Sequence, residues 1–281
     1  MTLAVILLAL GAALLHATWN VLLKSSADPL PVTTRALAAS AVIVGPLTLG
    51  GWLAMGMPGI PATVWGLLAA SAVAETVYFV FLSRAYRLGD LSAVYPIARG
   101  TGPLVAVAGG LIVLQEKLSP GELLGVLALL LGVWAVRRPR LDPALAPALV
   151  TGVFIGIYTT LDRVGVRLAP PWLYGGILWV LMALLLIGWT RGRPLLQARP
   201  SEWGSSSLIG VLMAAAYAFT LLALAVAPVA VVAPLRESAV VLVTAWGIWR
   251  LRERADAARR LAGAGAIIGG AAMIAISGRP G

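Results

Sequence analysis

Apolar runs of about 20 residues recur along the whole chain, from LAVILLALGAALL near the start to AGAIIGGAAMIAIS near the end. That length spans the roughly 30 Å hydrocarbon core of a bilayer. Of the 281 residues, 60% are hydrophobic and 11% charged, more apolar surface than a soluble sphere could hide. The chain therefore reads as an all-α integral membrane protein, with the lipid bilayer as its first partner. The net charge of +10 does not indicate nucleic acid, because the basic residues fall mostly between the apolar runs and act as topology signals. Cysteine is absent, which removes disulfides, thiolate metal sites and cysteine nucleophiles.

Ten spans are predicted, at 3–23, 32–54, 63–87, 91–114, 120–136, 144–167, 171–190, 204–226, 229–250 and 256–277. The first is read as a retained helix, since no Lys or Arg precedes it and it ends in His16, Asn20 and Lys24. Asp142-Pro143 offers an N-cap followed by proline, Ser119-Pro-Gly-Glu122 matches a capping box, and Asp256 is placed to cap the last span. No segment between spans is long enough to fold alone.

The two halves, 1–140 and 141–281, resemble each other. An offset of 138 pairs Phe81 with Phe219, Ala85 with Ala223 and Pro96 with Pro234. One deletion later, an offset of 137 pairs Arg99 with Arg236, Glu116 with Glu253 and Gly132 with Gly269. Earlier, an offset of 142 pairs His16 with Tyr158 and Asn20 with Asp162. Five spans per repeat is an odd number, so the second repeat inserts upside down. Inverted repeats are a signature of secondary transporters, with the substrate site near the midplane where the repeats meet. Of the Lys and Arg residues, fifteen lie on the side of the loops after spans 1, 3, 5, 7 and 9, and four on the other. That asymmetry puts both termini outside.

Ionisable groups at the bilayer centre cost roughly 2.5–3.5 kcal/mol on insertion scales and normally face a protein interior or a cavity. Glu75, Arg99, Asp162, Arg236 and Glu237 are such groups. Helical spacing puts His16 with Asn20, Tyr158 with Asp162, and Glu75 with Tyr78 on shared faces; Tyr217 and Thr220 form a similar pair. Trp19 and Tyr95 complete the candidate substrate-binding set: His16, Trp19, Asn20, Glu75, Tyr78, Tyr95, Arg99, Tyr158, Asp162, Tyr217, Arg236 and Glu237. The charges can neutralise one another or bracket a zwitterion, and protonation of Glu75 or Asp162 offers a coupling route. Arg99 has a ligand, Glu75 and Glu237 as possible partners. Arg84 and Arg87 lie at a span end and snorkel, while Trp52, Trp134, Trp172, Trp189 and Trp246 read as interfacial.

Arg99 stands between Pro96 and Pro103, with Gly100 and Gly102, which predicts a kinked or loosened fourth span; Pro234-Leu-Arg236 repeats the device. Gly121 with Gly125, and Gly265 with Gly269, form G-x-x-x-G pairs for close helix approach, between the halves or in a homodimer; the chain reads as monomer or homodimer. An enzyme is disfavoured: there is a single histidine, and no H-E-x-x-H, G-x-S-x-G or Walker A pattern. No cofactor or metal motif is present. The rival to a carrier of small molecules is a translocator of lipids or lipid-linked sugars, which should open a basic groove towards lipid.

HATWNVLLKSS in the first span, DLSAVYPIARGTGP leading into the fourth and LQEKLSP closing it, with VAPLRESAVV and RLRERAD in the second half, resemble the drug/metabolite transporter superfamily, in particular its ten-helix EamA-type exporters. The resemblance covers nearly the whole chain. The second copy departs by losing a residue between Pro234 and Arg236, and by Pro228 where the first has Asp90. The resemblance implies gradient-dependent export or exchange of small metabolites, such as amino acids, across a bacterial inner membrane. It also implies cytoplasmic termini, opposite to the charge count.

Overall fold

The computed structural model describes residues 3–26, 28–89, 91–136, 143–238 and 257–277, and all their regular structure is helical. In chain order the helices are α1 (Leu3–Lys24), α2 (Pro29–Ala54), α3 (Ala62–Leu88), α4 (Leu91–Ala108), α5 (Pro120–Val136), α6 (Leu145–Leu168), α7 (Pro171–Trp189), the single turn α8 (Arg193–Leu196), α9 (Pro200–Val226), α10 (Val229–Leu235) and α11 (Ala257–Ser277). Six of them, α1, α2, α3, α6, α7 and α9, are long and apolar enough to cross a membrane, and shorter apolar helices cover 97–113, 120–135 and 261–277. The part of the ninth predicted span at 239–250 lies outside the described residues, as do Asp142, Trp246, Glu253 and Asp256.

Helix starts follow local chemistry. At α5 both arms of the capping box form: Ser119 N–H donates to Glu122 Oε2 at 2.8 Å, and Glu122 N–H to Ser119 Oγ at 3.2 Å. Two helices begin earlier than predicted. α2 starts at Pro29, with Asp28 Oδ1 accepting the Leu30 N–H at 3.3 Å. α9 starts at Pro200, with Glu202 Oε2 accepting the Arg199 N–H at 2.7 Å. Proline does not break a first turn, whose amides have no intrahelical acceptor. α6 starts at Leu145, two residues later than Pro143 would have begun it.

The fourth span corrects a second expectation. α4 runs as unbroken α-helix through Pro96 and Pro103, and the loosening comes afterwards as a π-helical turn at Gly109–Val113. The glycines serve packing instead. A Cβ on Gly102 would meet the Ile155 side chain at 2.7 Å, and one on Gly100 would meet the Trp134 indole at 2.9 Å. Trp134 is therefore packed against α4, where an interfacial position was expected. In the second half the proline device does interrupt the helix: α10 ends at Leu235 and a 3₁₀ turn follows at Arg236–Ser238.

The two halves interleave. The most extensive helix contacts, α5 with α11, α3 with α6, α4 with α6 and α1 with α9, each join one half to the other. The α5–α11 contact is backbone to backbone: a Cβ on Gly125 would lie 2.7 Å from the Gly270 carbonyl, and one on Gly132 would lie 2.6 Å from the Gly263 carbonyl. Gly121 faces Ser277 in the same seam. Gly265 and Gly269 do not belong to it, because nothing among the described residues lies within 4 Å of a Cβ built on either; the seam of α11 runs through Gly263 and Gly270. Gly125→Ala is accordingly expected to destabilise by about 1–3 kcal/mol, since backbone cannot move aside cheaply. Gly269→Ala is expected to be tolerated. Unfolding midpoints of the two variants in detergent check the contrast, and equal midpoints would remove the seam.

Helix ends are tied by a device that recurs in the repeats. Lys24 at the end of α1 donates to the carbonyls of Tyr86 (2.7 Å) and Gly89 (2.9 Å) at the end of α3. In the second half Arg163 of α6 donates to the Leu224 carbonyl near the end of α9. The offset of 138 makes Leu224 the counterpart of Tyr86. A cation on the first helix of each repeat thus meets the C-terminal carbonyls of the third, where partial negative charge collects.

Candidate functional site

Asp162 on α6 is fully buried, and both of its oxygens are hydrogen-bonded. Ser71 of α3 donates to Oδ1 at 2.6 Å, Tyr174 of α7 to the same oxygen at 3.0 Å, and Tyr217 of α9 to Oδ2 at 2.7 Å. Three hydroxyls from three helices replace water around one charge, which is how a carboxylate is accommodated at membrane depth. Glu75, one helical turn beyond Ser71 on α3, is within electrostatic reach of Asp162 and lies beside the Tyr217 hydroxyl.

The cations divide between two roles. Arg99 Nε pairs with Glu237 Oε2 at 2.9 Å, both side chains almost wholly buried. Of the partners open to Arg99, Glu237 lies at ion-pair distance, and that contact joins α4 to the 3₁₀ turn after α10. Arg236, next to Glu237 on that turn, is buried and within electrostatic reach of His16, Glu75, Tyr158 and Asp162.

Aromatic rings fill the rest of the space. His16 meets Trp19 edge-on with centroids 4.8 Å apart, and Trp19 lies 6.5 Å from Phe79. Tyr78 and Tyr158 meet edge-on at 5.7 Å, and Trp179 lies 5.7 Å from Tyr217. Every predicted site residue with a described side chain is buried: His16, Trp19 and Asn20 on α1, Glu75 and Tyr78 on α3, Arg99 on α4, Tyr158 and Asp162 on α6, Tyr217 on α9, and Arg236 and Glu237 after α10. The Tyr95 side chain lies outside the described residues. Asn20 is turned to bracing: its Oδ1 accepts from the Tyr86 hydroxyl at 2.7 Å and its Nδ2 donates to the His16 carbonyl at 2.8 Å.

Sequence reasoning missed Ser71, Tyr174, Tyr86 and Trp179. Ser71 carried a signal, standing four residues before Glu75 on one helix face. Tyr174 carried none, since a tyrosine near a span start reads as interfacial. The Glu116–Arg163 pair was also missed. Glu116 Oε1 meets Arg163 Nε at 3.1 Å and accepts the Val229 N–H at 3.0 Å, while Oε2 accepts the Ala230 N–H at 3.1 Å. One carboxylate thereby caps α10 and holds α6.

A groove of about 260 Å³ opens between α2, α7 and α9, lined in part by Thr48, Trp172, Gly176, Trp179, Tyr217 and Leu221. It runs in from the apolar outer surface and reaches the back of Tyr217.

The described helices thus interleave around a buried set of opposite charges. The sequence profile described as the EamA-like transporter family matches twice, over residues 3–138 and 143–276, and the chain belongs to that family. It is therefore a multi-pass membrane transporter of small molecules, with a two-repeat architecture. A solved structure, described only as the crystal structure of a protein, superposes with a TM-score of 0.72, covering 97% of this chain and 96% of its own at 20% identity. That likeness concerns the fold alone. No individually curated protein matches the sequence.

Proposed function

We propose that the protein is a secondary transporter that exports or exchanges small zwitterionic or amphipathic metabolites, amino acids foremost, by alternating access across a bacterial inner membrane. The observation that supports this most directly is the buried set of two arginines and three carboxylates drawn from α3, α4, α6 and the turn after α10. Charges of both signs inside a membrane protein mark solute or ion pathways. The proposed architecture is ten spans in two five-helix repeats, divided near residue 140, the second inverted and the site between them. Glu75 and Asp162, two neighbouring carboxylates, offer a place for a coupling proton.

The rival, a lipid or lipid-linked-sugar translocator, calls for a basic lateral groove. Among the described residues, the groove between α2, α7 and α9 is lined by apolar and aromatic residues with Thr48. The test is uptake of a labelled amino-acid panel into proteoliposomes preloaded with unlabelled solute. Saturable uptake of one class, suppressed by its unlabelled form, is expected; uptake no greater than in protein-free vesicles would reject the reading.

The charge count further predicts both termini outside. A C-terminal alkaline phosphatase fusion should then be active and a C-terminal green fluorescent fusion dark. The reverse pattern would turn the whole arrangement over and leave the site chemistry as it stands.

A further inference from the structure

Part of the buried cluster is committed within the protein. Arg99 is paired with Glu237, Asp162 takes three hydroxyls, and Asn20 is tied to Tyr86. Besides atoms of the Arg99–Glu237 ion pair, four buried atoms of the site have no hydrogen-bond partner among the described residues: Arg236 Nε, Trp19 Nε1, His16 Nδ1 and Glu75 Oε1. Their residues are 92% or more buried, with exposures of 3%, 1%, 8% and 3%. A buried donor or acceptor left unmade is costly, so such atoms are rare and call for something that completes them.

The unfilled valences have a definite chemistry. An arginine fork and an indole N–H donate only, which suits a carboxylate. A glutamate oxygen accepts, which suits an ammonium. Arg236 and Glu75 lie within electrostatic reach of each other, and His16, whose ring packs on Trp19, is within reach of Arg236. We propose that Arg236 and Trp19 bind the carboxylate, and Glu75 the ammonium, of a small zwitterion of the α-amino-acid class. Arg99 and Glu237 are scaffold: their pair fixes the 3₁₀ turn on which Arg236 sits. This assignment rests on the carrier reading above and adds which cation meets the solute. Were Arg99 the binding cation, turning it to the solute would break its buried pair with Glu237.

The assignment makes the two ends of the solute separable. Purified full-length protein in proteoliposomes is assayed for exchange of a labelled amino acid, competed by the unlabelled amino acid, its decarboxylated amine and its deaminated acid. In Arg236→Gln the amino acid and the acid are expected to lose about 10-fold in competing strength while the amine changes little. Trp19→Phe, which keeps the packed ring, is expected to lose about 5-fold on the same two competitors. Glu75→Gln is expected to weaken the amino acid and the amine but not the acid. Arg236→Lys keeps the charge and should fall between wild type and Arg236→Gln, which covers the case of a misfolded Gln variant. Arg99→Gln is expected to lower the unfolding temperature and leave the competitor ranking as in wild type.

If Arg236→Gln weakens all three competitors equally, or Arg99→Gln is the variant that changes the ranking, the subsite is overturned and the carrier reading stands. If the wild-type protein exchanges no zwitterion, the carrier reading falls and the subsite with it.

Discussion

Asp162→Ala is expected to lower stability by about 3–5 kcal/mol and to abolish exchange. The side chain accepts from Ser71, Tyr174 and Tyr217, all in the interior. Each hydrogen bond to a charged group contributes about 1.5–3 kcal/mol, and the three are too closely coupled to add in full. Truncation leaves three hydroxyls around a void at membrane depth and removes the tie between α3, α6, α7 and α9. Asp162→Asn keeps the shape and one accepting oxygen, so it is expected to lose less than half as much stability. Denaturant unfolding of the purified variants in detergent measures the order. An alanine variant as stable as wild type would show that the three hydroxyls do not hold the helices together through Asp162.

Glu116→Ala is the second large effect, expected at about 3 kcal/mol. The carboxylate pairs with Arg163 and accepts the first two N–H groups of α10, and its side chain is only 9% exposed. Removing one partner of a buried pair leaves the other charge uncompensated, which is the costly half of breaking it. The loss also frees the start of α10, the element that carries Arg236 and Glu237 into the site. Glu116→Gln retains acceptance at one oxygen and is expected to recover part of the loss. A double-mutant cycle with Arg163→Met isolates the pair from the cap. Coupling near zero would assign the whole effect to the α10 N-terminus.

The six long spans were legible because membrane depth admits few alternatives: about 20 apolar residues with internally satisfied backbone read as a helix whatever surrounds them. The starts at Pro29 and Pro200 were less so, because proline is a breaker inside a helix and a favoured residue in its first turn. The same ambiguity misplaced the loosening of α4, where Gly100 and Gly102 admit Trp134 and Ile155 and the π turn lies beyond Pro103. Glu75, Arg99, Asp162, Arg236 and Glu237 could be named from sequence because they fall inside apolar spans; Arg35 and Arg163, also buried, counted as topology signals near span ends. Their pairing could not: Arg99 had more than one carboxylate in prospect, and the choice of Glu237 depends on how α4 and the turn after α10 are packed. G-x-x-x-G spacing located the α5 side of the seam at Gly121 and Gly125. On α11 the seam runs through Gly263 and Gly270 where the spacing pointed to Gly265 and Gly269, because several glycines crowd this helix and only packing decides which face α5.

The central claim is that one buried site is presented in turn to the two sides of the membrane. Efflux of a preloaded labelled amino acid from proteoliposomes, with and without unlabelled amino acid outside, tests it most directly. The account predicts efflux that speeds up as outside solute rises, saturates, and is lost in Asp162→Ala. Efflux proportional to the gradient, indifferent to solute on the far side, would mean a pore and contradict the account.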